Sequence, residues 1–337
     1  MRPPRPVPPH LAWRAFSRSE AVDAGITPRM LQHPRFVQVH PSVYRLGAVD
    51  LDERGRIAAA RLALPPDARI SHATRLRMLG VERGPLLPLH FTVPRDLHLD
   101  LPGIVLHRTV VMPPHDDDAV SVEAAFIGYV ASARLVDRVV VGDWLLHRGF
   151  TSVGRLLALA DAQSWRPGVA ELREVVPLLD SRSRSIPESE VRVCLQAAGL
   201  PRPEVNVDVH DDAGSFVACG DLLYRLWRLL IEYEGGQHFT DADQIASDVD
   251  RYARVRREGW SYVQVTKKHL RAPKAMVGRV HRELVSAGYD GPSPVFGSMW
   301  DELFRQPKPR PRRRKVDPQP SELPDGCRST SSGPRTS

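Results

Sequence analysis

Hydrophobic and polar positions alternate most strictly at Glu204–His210, EVNVDVH, where Val205, Val207 and Val209 are separated by polar residues. Period-2 alternation of this kind predicts a half-buried β-strand. The turn residues DDAG follow at 211–214. SFVACGD (215–221) then predicts a second strand ending at Asp221, and LWRLLIEYE (226–234) a third. WSYVQVTKKHL (260–270) predicts a fourth strand leading into another helical segment. Two helices frame these strands. SIPESEVRVCLQAAGLPRP (185–203) has Pro187 in its first turn, an apolar side of Val191, Cys194 and Leu195, and Gly199 to close it. DADQIASDVDRYARVRREG (241–259) predicts a long polar helix. The order is α-β-β-β-α-β.

Shorter signals precede this block. SRSE (17–20) is a capping-box pattern opening a short helix that ends at Gly25. TPRMLQH (27–33) predicts a second short helix, with Thr27 as N-cap and Pro28 at its first position. RFVQVHPSVYRLG (35–47) alternates and breaks at Pro41-Ser42, as a hairpin does. Two short helices and a hairpin make a winged helix-turn-helix, whose second helix enters the DNA major groove. Arg29, Gln32 and Arg35 are then placed to meet DNA. The same pattern also fits a small packing or dimerising domain with solvated arginines.

Between these blocks, RIAAARLAL (56–64) predicts a helix, and ARISHATRLRMLG (68–80) a strand end followed by a helix capped by Ser71. LHFTVPR and GIVLHRTV are β-like, whereas SVEAAFIGYVASARLVDRVVVGDWLLHRG and SVGRLLALADA are helical. His72, His90, His107 and His147 do not fall at ligand spacing, and each predicts an ordinary, partly buried histidine. The chain therefore reads as a multidomain α+β or α/β protein. Residues 1–10 form a disordered Pro-rich start, 11–50 the winged block, 51–180 a mixed α/β linker domain and 181–290 the strand-rich domain. A terminal helix at 291–305 and a disordered basic tail at 306–337 complete it.

Composition narrows the function classes. The chain has 337 residues, 42% of them hydrophobic and 26% charged, as in ordinary globular proteins. Its net charge of +7 suggests nucleic acid. However, residues 306–337 alone hold eight Lys/Arg against three Asp/Glu, so the excess sits at the termini. Such an arm attracts phosphates without sequence preference, or simply aids solubility. Cys194, Cys219 and Cys327 are too few and too scattered for a disulfide framework or a zinc site, which points to a reducing cytoplasm. MRPPRPVPPH has no apolar core and predicts no signal peptide, and no apolar run is long enough to span a bilayer.

The chemistry concentrates at Asp221, Glu232 and Glu234. Ten residues separate Asp221 from Glu232, enough for a turn and a return strand, so the two face each other across a hairpin. Glu234 shares the face of Glu232, and Glu188 in the preceding helix can close the site. Converging carboxylates supply the hard oxygen donors that Mg²⁺ or Mn²⁺ requires. Alternatively, these acids cap strands and pair with Arg225, Arg228 or Arg251.

PESEVR (Glu188, Arg192), AAGLPRPEVN, Asp221, IEYEGGQH (Glu232, Glu234, Gly235, His238), DVDRYARVRREGW (Asp248, Arg251, Gly259, Trp260) and VQVT occur in that order. With these motifs the segment 186–270 resembles the endonuclease-related domain similar to very-short-patch-repair endonucleases, in the PD-(D/E)XK superfamily. The resemblance implies a restriction-endonuclease-like core and metal-dependent cleavage of DNA. It implies Asp221 and Glu232 as metal ligands, Glu188 as an accessory ligand or holder of metal waters, and Glu234 and His238 completing the catalytic set. Glu234 stands where the superfamily usually has a lysine and the related domain an aspartate. His238 is then the general base or charge stabiliser, and Lys267 and Lys268 offer a cation or form a solvated pair. FSRSEAVDAGITPRMLQHPRFVQVHPSVYRLG is similar to the winged-helix domain of AbiEi-type antitoxins, which implies DNA and a toxin or defence-system protein as partners. The alternative to an endonuclease is a non-enzymatic, antitoxin-like DNA-binding regulator on a degenerate nuclease scaffold. Nothing in the sequence sets the oligomeric state.

Overall fold

The computed structural model describes residues 7–211, 213–235 and 253–307. His238, Asp248, Arg251, most of the polar helix expected at 241–259, and residues 1–6 and 308–337 of the expected arms lie outside the described residues. The fold is mixed α+β, with helices packed around three small sheets.

The first block follows its local signals with two corrections. Ser17 and Glu20 form the reciprocal capping box that opens α1 (Arg18–Asp23), and Gly25 follows at φ 79°. β1 (Phe16–Ser17), β2 (Phe36–His40) and β3 (Val43–Leu46) make an antiparallel sheet in the order β1-β3-β2, with the hairpin turning at Ser42. The expected second helix is reduced to a 3₁₀ turn, Met30–Gln32. Pro34 explains the truncation: a residue before proline is driven out of α space, and His33 is extended at φ −69°, ψ 138°. The Pro-rich start becomes ordered earlier than expected, where the 3₁₀ turn Pro9–Leu11 buries Leu11.

In the middle region, α2 (Glu53–Ala63) covers one face of a sheet of order β4-β5-β6 (Arg69–Ile70, Leu89–Val93, Ile104–Arg108). β5 and β6 run parallel. α3 (His72–Met78) lies between β4 and β5 in sequence, and Ser71 precedes it without a side-chain cap bond. The apolar run 121–149 divides into α4 (Val122–Val130), capped by Ser121, and α5 (Leu135–His147). α6 (Val153–Ala162) and α7 (Val169–Val175) follow.

The last region starts with α8 (Ile186–Ala197), capped by Ser185, and Gly199 at φ 83° ends its last turn. β7 (Glu204–His210), β8 (Phe216–Tyr224), β9 (Leu229–Glu234) and β10 (Ser261–Thr266) form one sheet in the order β10-β9-β8-β7. The first three strands are antiparallel neighbours, and β10 joins β9 in parallel. α9 (Lys267–Leu270), α10 (Pro273–Ser286) and α11 (Ser298–Phe304) complete the described chain. A single buried cluster includes Phe126 of α4, Val140 of α5, Leu195 of α8, Ile231 of β9 and Leu303 of α11, so the core runs past residue 180 without a break. Arg192 and Asp143, both fully buried, join α8 to α5 with a 2.7 Å ion pair.

Candidate functional site

The four-stranded sheet has apolar residues on both faces, and one row interrupts them. Val205 pairs with Leu222 and Val207 with Gly220, which sets Asn206 opposite Asp221. Leu222 and Ile231 are the last pair joining β8 to β9, so Asp221 and Glu232 are the next positions beyond it. Glu232 in turn pairs with Gln264 of β10. Asn206, Asp221, Glu232 and Gln264 thus form a polar row across all four strands.

The strands are irregular at this row. Asn206 is left-handed at φ 48°, a conformation asparagine tolerates better than most residues. The faces of β7 and β8 exchange there. Val205 and Leu222 pack toward α8, whereas Val207, Val209 and Ala218 join the cluster of Leu223, Leu230 and Trp260. Where the β8–β9 ladder stops, the Asp221 carboxylate takes its place: Oδ2 accepts a 2.8 Å bond from the backbone N–H of Tyr233. Asp221 is therefore interior to β8 rather than at its end. The chain turns later, at the 3₁₀ turn Arg225–Trp227 and the left-handed Arg228.

Glu232 is 8% exposed, and its Oε2 accepts from the Tyr262 hydroxyl at 3.2 Å. Glu234 is half-buried and pairs with Thr266, so Lys267 follows directly after its register partner. Lys267 and Lys268 are exposed in α9. Glu188 is buried, and its Oε2 accepts from the Arg184 backbone N–H at 2.9 Å and from Asn206 Nδ2 at 2.8 Å. Asn206 Nδ2 also donates to the Arg182 carbonyl at 2.8 Å. Glu188 therefore ties the loop before α8 to the strand position opposite Asp221. Sequence reasoning missed Asn206, Gln264, Tyr262 and Arg184. The only trace of the first was an asparagine at a polar position of an otherwise regular strand.

Among the described residues no group of three or more His, Cys, Asp and Glu is gathered as a metal cage. Mg²⁺ does not demand one. It binds through one or two carboxylates and keeps several waters for itself and for phosphate. Asp221 and Glu232, at the mouth of an opened ladder, fit that requirement in donor chemistry.

Part of this chain has mycobacterial relatives. It is 30% identical over 130 residues to an uncharacterised protein of Mycobacterium tuberculosis strain CDC 1551 / Oshkosh, and equally to one of strain ATCC 25618 / H37Rv. Each match covers 38% of this chain and 48% of the relative, so the chain spans about half the length of the curated relatives it matches. No family model matches the chain.

In the first block, Arg29 and Gln32 are exposed beside the Met30–Gln32 turn. Arg35 is half-buried, with its guanidinium 4.7 Å above the Phe36 ring. Three residues of 3₁₀ turn cannot lie in a groove as a recognition helix does, so any DNA contact here is made by a turn and the adjoining hairpin. Among the described residues no helix is long and apolar enough to cross a membrane.

His72, His90 and His107 come together in space. The His72 and His107 rings stack at 3.6 Å between centroids, 9° from parallel, and His90 Nδ1 lies 2.9 Å from His107 Nε2. His72 Nδ1 meets Ser71 Oγ at 2.9 Å, and its other edge packs on Gly128, where an added Cβ would sit 2.6 Å from Nε2. With both edges of His72 occupied, the stack is a packed polar layer rather than an open ligand set.

Proposed function

We propose that this chain is a metal-dependent DNA endonuclease or nickase, with Asp221 and Glu232 as the residues that hold Mg²⁺ or Mn²⁺. The observation that carries this reading is the opened β8–β9 ladder with a carboxylate on each side of the opening. The strand order β10-β9-β8-β7, with α8 before it, also supports a restriction-endonuclease-like core of the very-short-patch-repair type. When bound, the ion would neutralise charge at a phosphodiester and acidify a water.

The protein's own residues have separate tasks. Tyr262 fixes one oxygen of Glu232, and the Tyr233 N–H fixes one of Asp221. Both carboxylates are thereby oriented before any ion arrives, which lowers the cost of assembling the site. Gln264 extends the row as a neutral donor and acceptor. Glu234 lines the same strand end without supplying a positive charge, and His238 is the proposed base or charge stabiliser. Arg29, Gln32 and Arg35 bring the first block to DNA as a winged module related to AbiEi-type antitoxins.

Titration with Mn²⁺, followed by water-proton relaxation, tests the metal reading. The wild type is expected to bind the ion, and Asp221→Asn and Glu232→Gln to weaken it by at least the about 10- to 100-fold that loss of an outer-shell partner costs. Equal affinity in all three proteins would remove the metal site. A DNA-binding, antitoxin-like regulator on an inactive scaffold would then be the better reading, provided that duplex DNA is still bound.

A further inference from the structure

The proposed site has no lysine at Glu234, yet phosphoryl chemistry needs a cation close to the phosphate. The loop before α8 carries one. Arg184 is exposed, and its Nη1 lies 3.8 Å from Cys219 Sγ. Cys219 is two residues from Asp221 on β8, a separation of about 7 Å along a strand. A cysteine sulfur is only a weak acceptor and does not satisfy the guanidinium's charge. Among the described residues no carboxylate forms an ion pair with Arg184.

The backbone that carries Arg184 is held in place. Glu188 accepts the Arg184 N–H, and Asn206 binds both Glu188 and the Arg182 carbonyl, at the strand position opposite Asp221. The geometry points to Arg184 as the phosphate-binding cation of the Asp221–Glu232 site, with Glu188 as the positioning residue that anchors its loop. This inference rests on the nuclease reading above. A guanidinium suits the role, because its planar donors match two phosphate oxygens at once.

The test is binding of a fluorescein-labelled DNA duplex in Ca²⁺, followed by anisotropy across a salt series, with Mn²⁺-dependent plasmid nicking measured in parallel. Losing one phosphate contact lowers the slope of log affinity against log salt by about 0.9. Arg184→Gln is expected to show that loss and to nick about 100-fold more slowly. Arg184→Lys should keep the slope. Glu188→Ala should match Arg184→Gln, and Glu188→Gln, which retains an accepting oxygen, should recover the salt slope that Glu188→Ala loses. A metal ligand at position 188 would instead fail in both variants. Should Glu188→Ala not fold, Asn206→Ala releases the same loop.

An unchanged slope in Arg184→Gln overturns the proposal, whether or not nicking changes, and wild-type nicking leaves the nuclease reading standing. A reduced slope in a protein that nicks with neither Mg²⁺ nor Mn²⁺ supports the phosphate contact and sinks the enzyme reading. No binding of DNA at low salt overturns both.

Discussion

Three imidazoles share one small space between β5, β6 and α4, and only their neutral forms fit it. Burial lowers all three: His90 to about 4, His107 to about 3, and His72 well below its ordinary value, with the neighbouring rings adding to the effect at His72 and His107. No carboxylate contributes to these shifts. A histidine whose folded pKa is depressed binds its proton more readily when unfolded. Its contribution to stability is complete above about pH 6.5, the ordinary histidine value. It is lost as the pH falls through that value toward the folded ones. Melting temperature is therefore expected to fall between pH 6.5 and pH 4, and His107→Phe, which keeps a flat ring in the stack, should flatten that fall. A variant curve parallel to wild type would contradict the assignment. This cluster was not legible in the chain. Residues 72, 90 and 107 come together only because β5 and β6 pair in parallel and α3 folds back on them, and no local spacing encodes that pairing.

At the scale of elements, the strands were readable and their ends were not. EVNVDVH alternates and is β7, but LLY after Asp221 gives no turn signal, so β8 continues to Tyr224. The reversal then uses Arg228 in a left-handed conformation that glycine normally marks. The second N-terminal helix failed because Pro34 outweighed the start signals at Thr27 and Pro28. Arg192 shows a different limit. It belongs to the PESEVR motif, yet its side chain is buried against Asp143 and Gln196 and locks α8 to α5. Breaking a buried pair leaves a stranded charge, so Arg192→Leu should destabilise the protein by about 3–5 kcal/mol. Arg192→Leu combined with Asp143→Leu should recover most of that loss, because no charge is left unpaired. Urea unfolding of the three proteins measures both. A double variant as unstable as the sum of its parts would contradict this account.

At the scale of the whole molecule, a continuous core from α3 to α11 holds the four-stranded sheet against the helices of the middle region. The acids occupy a break in that otherwise apolar framework. Asn206, Asp221, Glu232 and Gln264 lie where β7 and β8 change faces and the β8–β9 ladder stops. The carboxylate pair was legible because Asp221 and Glu232 flank a hairpin of ordinary length. The rest of the row was not, since Asn206 and Gln264 gain their place only through register. The account stands on the claim that this row cleaves phosphodiesters. The most direct measurement is conversion of supercoiled plasmid to nicked circle by the full chain in Mn²⁺, beside Asp221→Ala and Glu232→Ala. Nicking by wild type and its loss in both variants is the predicted result. Equal nicking by all three proteins, or none by wild type in either Mg²⁺ or Mn²⁺, would contradict it.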